Sequence, residues 1–137
     1  SPSLLGEGDH SPKSEWWRGQ GGFANAAPMH ILLTGASRGI GAAAFEALTA
    51  AGHRVAGHAT RDGPDLIAAD FADPAAPRRL WEQAFDALDG RIDVLVNNAG
   101  VFEGVDDNAG DAEWHAAWAR TMQINLQASA DLSRLAI

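Results

Sequence analysis

The strongest constraint on this chain is one short stretch, Thr34-Gly35-Ala36-Ser37-Arg38-Gly39-Ile40-Gly41, set between an apolar run and an alanine-rich one. The run before it, His30-Ile31-Leu32-Leu33-Thr34, has the length and composition of a buried strand, and the run after it, Ile40 to Ala51, reads as a helix. Between them the glycines make a turn that delivers the chain to a helix N-terminus. Unpaired backbone N–H groups point outward there and the helix dipole adds partial positive charge, so the turn is a site for an anion such as a pyrophosphate. Gly35 suits the tight turn, Gly39 lets phosphate approach the backbone with no Cβ in the way, and Gly41 lets the helix pack close to the strand.

The rest of the chain repeats the alternation. Gly52 stops the first helix and a second strand, Arg54 to His58, follows. A third, Leu66 to Ala69, ends at Asp70. A helix over Ala75 to Leu88 carries Leu80, Trp81, Ala84, Phe85 and Leu88 at helical spacing, with Asp73 as its expected N-cap and Pro74 at its first position. The fourth strand, Ile92 to Asn97, runs into Asn98-Ala99-Gly100. After an acidic loop a long helix begins near Asp111 and continues to Ile137. Strands alternating with helices predict a parallel sheet with helices on both faces. The link from Ala59 to Asp65 is too short for a crossover helix, so an extended or one-turn connection is expected there. The fourth strand is expected to be an apolar edge, with Leu132, Leu135 and Ile137 on the last helix lacking a neighbour.

Residues 1–28 have neither strand nor helix periodicity and are rich in Gly, Pro and Ser, which predicts a disordered tail or an upstream segment; Trp16-Trp17 within it is a candidate docking element. Residues 29–137 are then a single domain. Eighteen acidic residues against ten basic give a net charge of −8, a surface that repels nucleic acid and anionic membranes. With no long apolar run the chain reads as soluble, with no membrane or nucleic-acid partner, and a cytoplasmic location is expected. The absence of cysteine excludes disulfides, thiolate nucleophiles and Cys-containing zinc sites. The acidic residues from Glu103 to Glu113 lack the spacing of a calcium loop and read as a solvated loop. His30, His53, His58 and His115 share no metal-ligand spacing and receive no role. Trp114 and Trp118, four apart, are expected to pack as a core stripe.

In these residues the chain resembles the short-chain dehydrogenase/reductase family, and within it the reductases that carry a Thr-Gly-Ala-Ser-Arg-Gly-Ile-Gly turn. Four landmarks fall in order over Met29 to Ile137. The turn is similar to the family's cofactor-phosphate motif, which implies cofactor contacts from Gly35, Ser37, Arg38, Gly39, Ile40 and Gly41. Asp70-Phe71 resembles its adenine-contacting acidic pair. Asn97-Asn98-Ala99-Gly100 matches its Asn-Asn-Ala-Gly element and implies contacts from Asn98, Ala99 and Gly100. Asn125, within Ile124-Asn125-Leu126, matches the helix Asn of its catalytic tetrad. The resemblance implies a Rossmann-like α/β fold, a three-layer αβα arrangement around a parallel sheet, here truncated after the fourth strand and the helix that follows it.

NAD-specific sites place an acid at the end of the second strand, where its charge repels a 2′-phosphate. Here Ala59 stands at that point, while Arg38 and Arg61 are candidates to converge on a phosphate, with Asp62 and Asp65 close enough to cancel part of that field. NADP(H) is therefore expected in preference to NAD(H).

The family resemblance implies hydride transfer between nicotinamide and a small-molecule carbonyl or alcohol, with a Tyr moving the proton, a Lys lowering its pKa, a Ser orienting the oxygen and the helix Asn holding a water. Only Asn125 of those four is offered. The chain has no Tyr, and its one Lys is Lys13. As written it is expected to bind dinucleotide without turning over: the cofactor-binding half of a longer reductase, which at full length would be a homodimer or homotetramer. The competing expectation is a non-catalytic dinucleotide-binding or interaction module, completed by a partner that covers the open edge.

Overall fold

The computed structural model describes residues 27–137, and the tail expectation, with Trp16-Trp17, falls almost wholly outside them. Four strands, β1 (His30–Leu33), β2 (Arg54–Ala59), β3 (Leu66–Ala68) and β4 (Val94–Val96), form one sheet in the order β3-β2-β1-β4. Every pairing is parallel, with Ile31 opposite Val55 on one side of β1 and opposite Val94 on the other. The Rossmann-like α/β reading holds.

Side chains alternate across a strand, so β1 feeds two cores. Leu32 points into the larger one, with Ala56 of β2, Leu80, Ala84 and Leu88, and Ile124, Ala128 and Leu132. Those residues lie on α2 (Ala76–Ala87) and its C-cap, and on the long C-terminal helical segment. Ile31 and Leu33, equally buried, face the other side of the sheet, where α1 (Gly39–Ala50) packs on β2. No helix among the described residues is long and apolar enough to cross a membrane.

The β2–β3 connection holds no helix. Leu66 N–H donates to Gly63 O at 3.2 Å, and Asp65 takes a left-handed φ of 58° to close the turn. β4 has β1 as its one partner among the described residues.

Four expectations are corrected. The α2 N-cap is Ala75 and Pro77 lies in its first turn, because Asp73 folds its carboxylate back onto the Ala75 N–H (2.9 Å) in a turn just before the helix. The long helix is not uniform: α3 (Asp111–Met122) passes into a π turn, Gln123–Gln127, before α4 (Ala128–Leu135). Trp114 and Trp118 are not core residues. α3 buries no residue, and the two indoles pair with each other on its surface with ring centroids 6.0 Å apart. Leu132, by contrast, is fully buried against α2 rather than left without a neighbour.

Leu132 thus ties α4 to α2 and to the sheet. Leu132→Ala is expected to lower the unfolding free energy by about 2–5 kcal/mol, the cost of a buried methyl deletion with its cavity. Ile137→Ala, at a fully exposed side chain, is expected to leave the urea midpoint unchanged; equal midpoints for Leu132→Ala and the parent chain would contradict the packing described.

Candidate cofactor cleft

At the C-terminal ends of the strands, where β1 is flanked by β2 on one side and β4 on the other, a cleft of about 370 Å³ opens. Open α/β sheets characteristically bind ligands at such a crevice, where the chain leaves in opposite directions from neighbouring strands. The cleft is lined by the glycine turn, the ends of β2 and β3, and the exit of β4.

The turn is held by its own backbone and by side chains from two strands. Gly35 has φ +70°, a conformation that L side chains rarely adopt. A Cβ there would come within 2.8 Å of the Ala99 Cα, and one on Gly41 would overlap the Gly35 carbonyl oxygen and stand 2.6 Å from Asn98 Nδ2. Glycine at these two positions is what lets α1 start directly beneath the turn. α1 has no side-chain cap at Arg38, and the first N–H with a partner in the helix is that of Ala42, donating to Arg38 O at 3.2 Å. The amides of Gly39, Ile40 and Gly41 precede it and have no carbonyl in their own helix. All three residues line the cleft.

Thr34 and Asn98 join β1 to β4. The Thr34 hydroxyl donates to Val96 O (3.2 Å) and accepts the N–H groups of Asn98 (2.9 Å) and Ala99 (3.0 Å). The Asn98 amide donates to the carbonyls of Thr34 (3.0 Å) and Gly35 (3.1 Å). Asn98 therefore fastens the turn, and its Nδ2 is already engaged.

His58, given no role from sequence, is one of three polar residues at the cleft, with Thr60 and Arg120, that the sequence does not single out. It is buried at the end of β2, where its Nε2 donates to Ala69 O (2.8 Å) and its Nδ1 accepts the Gly35 N–H (3.2 Å). Its ring stacks on Phe71, centroids 4.3 Å apart. Phe71 consequently turns its ring into the core, while Asp70 lines the cleft and accepts the Ala72 N–H at 2.9 Å. A polar residue inside the apolar strand run of β2 was the one available signal.

The structure brings Gly35, Ser37, Arg38, Gly39, Ile40, Gly41, Asp70, Phe71, Asn98, Ala99 and Gly100 together around the cleft. Arg61 is not among its lining residues; β2 ends at Ala59, and Thr60 takes the lining position next to it. Arg120 and Ile124 line the cleft from the long helical segment, with Arg120 paired to Glu103 at 2.5 Å. Asn125 sits one residue beyond, in the π turn. Its side chain engages Val101 both ways, Oδ1 accepting the N–H (2.8 Å) and Nδ2 donating to the carbonyl (2.7 Å). That pair of bonds pins the exit of β4 to the helical segment. π turns inside α-helices occur frequently at functional sites.

Burial of His58 disfavours its charged form and pulls its pKa below the ordinary 6.5, against a smaller opposing effect of the bond to Ala69. The unfolded chain then binds a proton more readily than the folded one, so this stabilisation is complete above pH 6.5 and is lost as pH falls through the folded pKa. Urea midpoints taken from pH 7.5 down to 5 are expected to fall more steeply for the parent chain than for His58→Asn, which has no imidazole to charge; identical slopes would contradict a buried neutral His58.

The family model for short chain dehydrogenases matches residues 29–137. A 3-oxoacyl-[acyl-carrier-protein] reductase of rhamnolipid biosynthesis from Pseudomonas aeruginosa is 38% identical over 118 residues, covering 76% of this chain and 44% of that protein. Among solved structures, an NADH-dependent reductase, A1-R′, complexed with NAD superposes with a TM-score of 0.72 at 28% identity, over 84% of this chain and 53% of that one. A short chain dehydrogenase from Burkholderia cenocepacia in complex with NADP gives 0.68 at 32% identity, over 79% and 49%. The chain spans about half the length of the proteins it matches. The glycine turn, the parallel sheet and these likenesses agree: the chain belongs to the short-chain dehydrogenase family.

Proposed function

We propose that this chain is the cofactor-binding portion of an NADP(H)-dependent oxidoreductase that moves hydride between nicotinamide and a small carbonyl or alcohol substrate. The observation that carries the reading is the cleft itself: three helix-start amides without intrahelical partners line it, beside an exposed Arg38 and a β2 end that offers Ala59 rather than an acid. Amides at a helix N-terminus suit a pyrophosphate, and a guanidinium beside them suits a further phosphate. The residues present therefore fit a dinucleotide. When bound, that group would supply the hydride to a carbonyl or accept it from an alcohol.

The chain's own residues hold and orient. Gly39, Ile40 and Gly41 present amides to the pyrophosphate, Arg38 meets the 2′-phosphate, and Thr60 and Asp70 border the adenosine end. Gly100 and Val101, fixed by Asn125, border the nicotinamide end. Asn125 is the part of the family's proton-relay set that this chain carries; the chain has no Tyr, and its one Lys is Lys13. On this reading the chain alone binds cofactor without turnover, and the remaining catalytic groups belong to a longer protein. Self-association as a homodimer or homotetramer is part of the reading, supported by Trp118, Met122 and Leu126, four residues apart and exposed along α3 and the π turn.

Solved relatives bind NAD in one case and NADP in another, so the choice rests on Arg38 and Ala59. Titrating the full chain with NADPH and NADH, followed by Trp fluorescence, is expected to give tighter binding of NADPH. Arg38→Ala is expected to weaken NADPH at least about tenfold, as loss of a charge-assisted phosphate contact does, and to leave NADH nearly unchanged. Equal affinities in the parent chain, or no loss in the variant, would contradict the 2′-phosphate assignment.

A further inference from the structure

We infer that His58 is a positioning residue of the cofactor turn, a neutral imidazole in the Nε2–H form that holds Gly35 so that the next amides of the turn face the phosphates. This rests on the dinucleotide reading of the cleft and adds to it a residue outside the glycine motif.

The geometry leaves the ring one state. Its two neighbours are an amide N–H, which only donates, and a carbonyl oxygen, which only accepts: Gly35 N–H at 3.2 Å on Nδ1 and Ala69 O at 2.8 Å on Nε2. The neutral form with the proton on Nε2 satisfies both; the Nδ1–H form and the imidazolium each set two donors against one another at Gly35. The His58 backbone carbonyl takes the next amide, that of Ala36, at 2.7 Å. One residue of β2 thus engages two successive N–H groups of the turn, and the amides left to the cleft begin further on. Phe71 closes the far face of the ring by stacking at 4.3 Å. The ring therefore couples the turn after β1 to the ends of β2 and β3, the three segments that line one side of the cleft. The charged groups that line the same cleft are Arg38, Asp70 and Arg120, and none is hydrogen-bonded to the imidazole.

Three variants separate the two ring contacts. In His58→Asn the side-chain oxygen replaces the Nδ1 acceptor, in His58→Gln the amide nitrogen replaces the Nε2 donor, and in His58→Phe the ring remains without either. Titration of the full chain with NADPH at pH 7.5, with thermal melts to confirm folding, is expected to show Asn within about threefold of the parent. Gln and Phe are expected to weaken binding about tenfold, because each leaves the part-buried Gly35 N–H without its acceptor and frees the turn to shift. Equal affinity in all three variants, or equal loss in all three, would overturn the inference. Imidazole 15N shifts of the parent chain are a second test that needs no variant: a protonated Nε2 with a bare Nδ1 at pH 7 is expected, and an Nδ1–H or charged ring would overturn the proposal. A parent chain with that signature that binds neither NADPH nor NADH would instead overturn the dinucleotide reading.

Discussion

The hydroxyl of Thr34 is the point on which the mouth of this sheet is built. A parallel sheet leaves its strand ends diverging into separate loops, and nothing in the ladder itself holds those loops together. Here one oxygen accepts two successive amides from the exit of β4 and donates its own hydrogen bond to the Val96 carbonyl, so the chain leaving β1 and the chain leaving β4 share a single anchor. Asn98 then reaches back to the carbonyls of Thr34 and Gly35, and His58 approaches Gly35 from the opposite side. The turn is clamped from both flanking strands. Because the clamps engage Gly35 and Ala36, the amides of Gly39, Ile40 and Gly41 remain for a ligand.

The cleft follows from that division of backbone groups. α1 starts immediately under the turn because Gly41 has no Cβ to strike the Gly35 carbonyl, and the open N-terminus therefore points into the crevice between the diverging chain ends. On the nicotinamide side of the proposed site, Asn125 performs the corresponding fastening, its amide pairing with the Val101 backbone much as a neighbouring strand would. The π turn sets Asn125 in register with Val101 while Ile124 stays in the core and lines the cleft. Packing of α4 on α2 through Leu132 then carries the position of that turn back to the sheet.

Most of the architecture was legible in the sequence because it is written in local pattern. The short apolar runs at Ile31 and Val94, the alanine-rich helix after the glycines and the missing crossover helix before Leu66 each announce themselves within a few residues. What was not legible depended on partners distant in sequence. The two tryptophans of α3 have the spacing of a buried stripe, yet spacing alone does not say which face of a helix meets the sheet. Asp73 has the composition of a cap, but its carboxylate is satisfied within the preceding turn. The π turn leaves no composition signal. Of the site, the glycine motif and the Asn98-Ala99-Gly100 exit were readable as motifs, whereas His58, Thr60 and Arg120 reach the cleft only through strand order and helix docking. Arg61 illustrates the reverse: one residue past the lining position, it was a candidate by proximity in sequence alone.

The central claim is that the cleft above β1 is where a nicotinamide dinucleotide sits. Backbone amide shifts of the isotopically labelled full chain, followed by NMR as NADPH is added, test it most directly. The account predicts saturable shifts concentrated at Ser37 to Gly41, Thr60, Asp70 and Ala99 to Val101, with the exposed stripe of α3 unmoved. Shifts centred elsewhere, or a spectrum of a folded chain that does not respond, would contradict it.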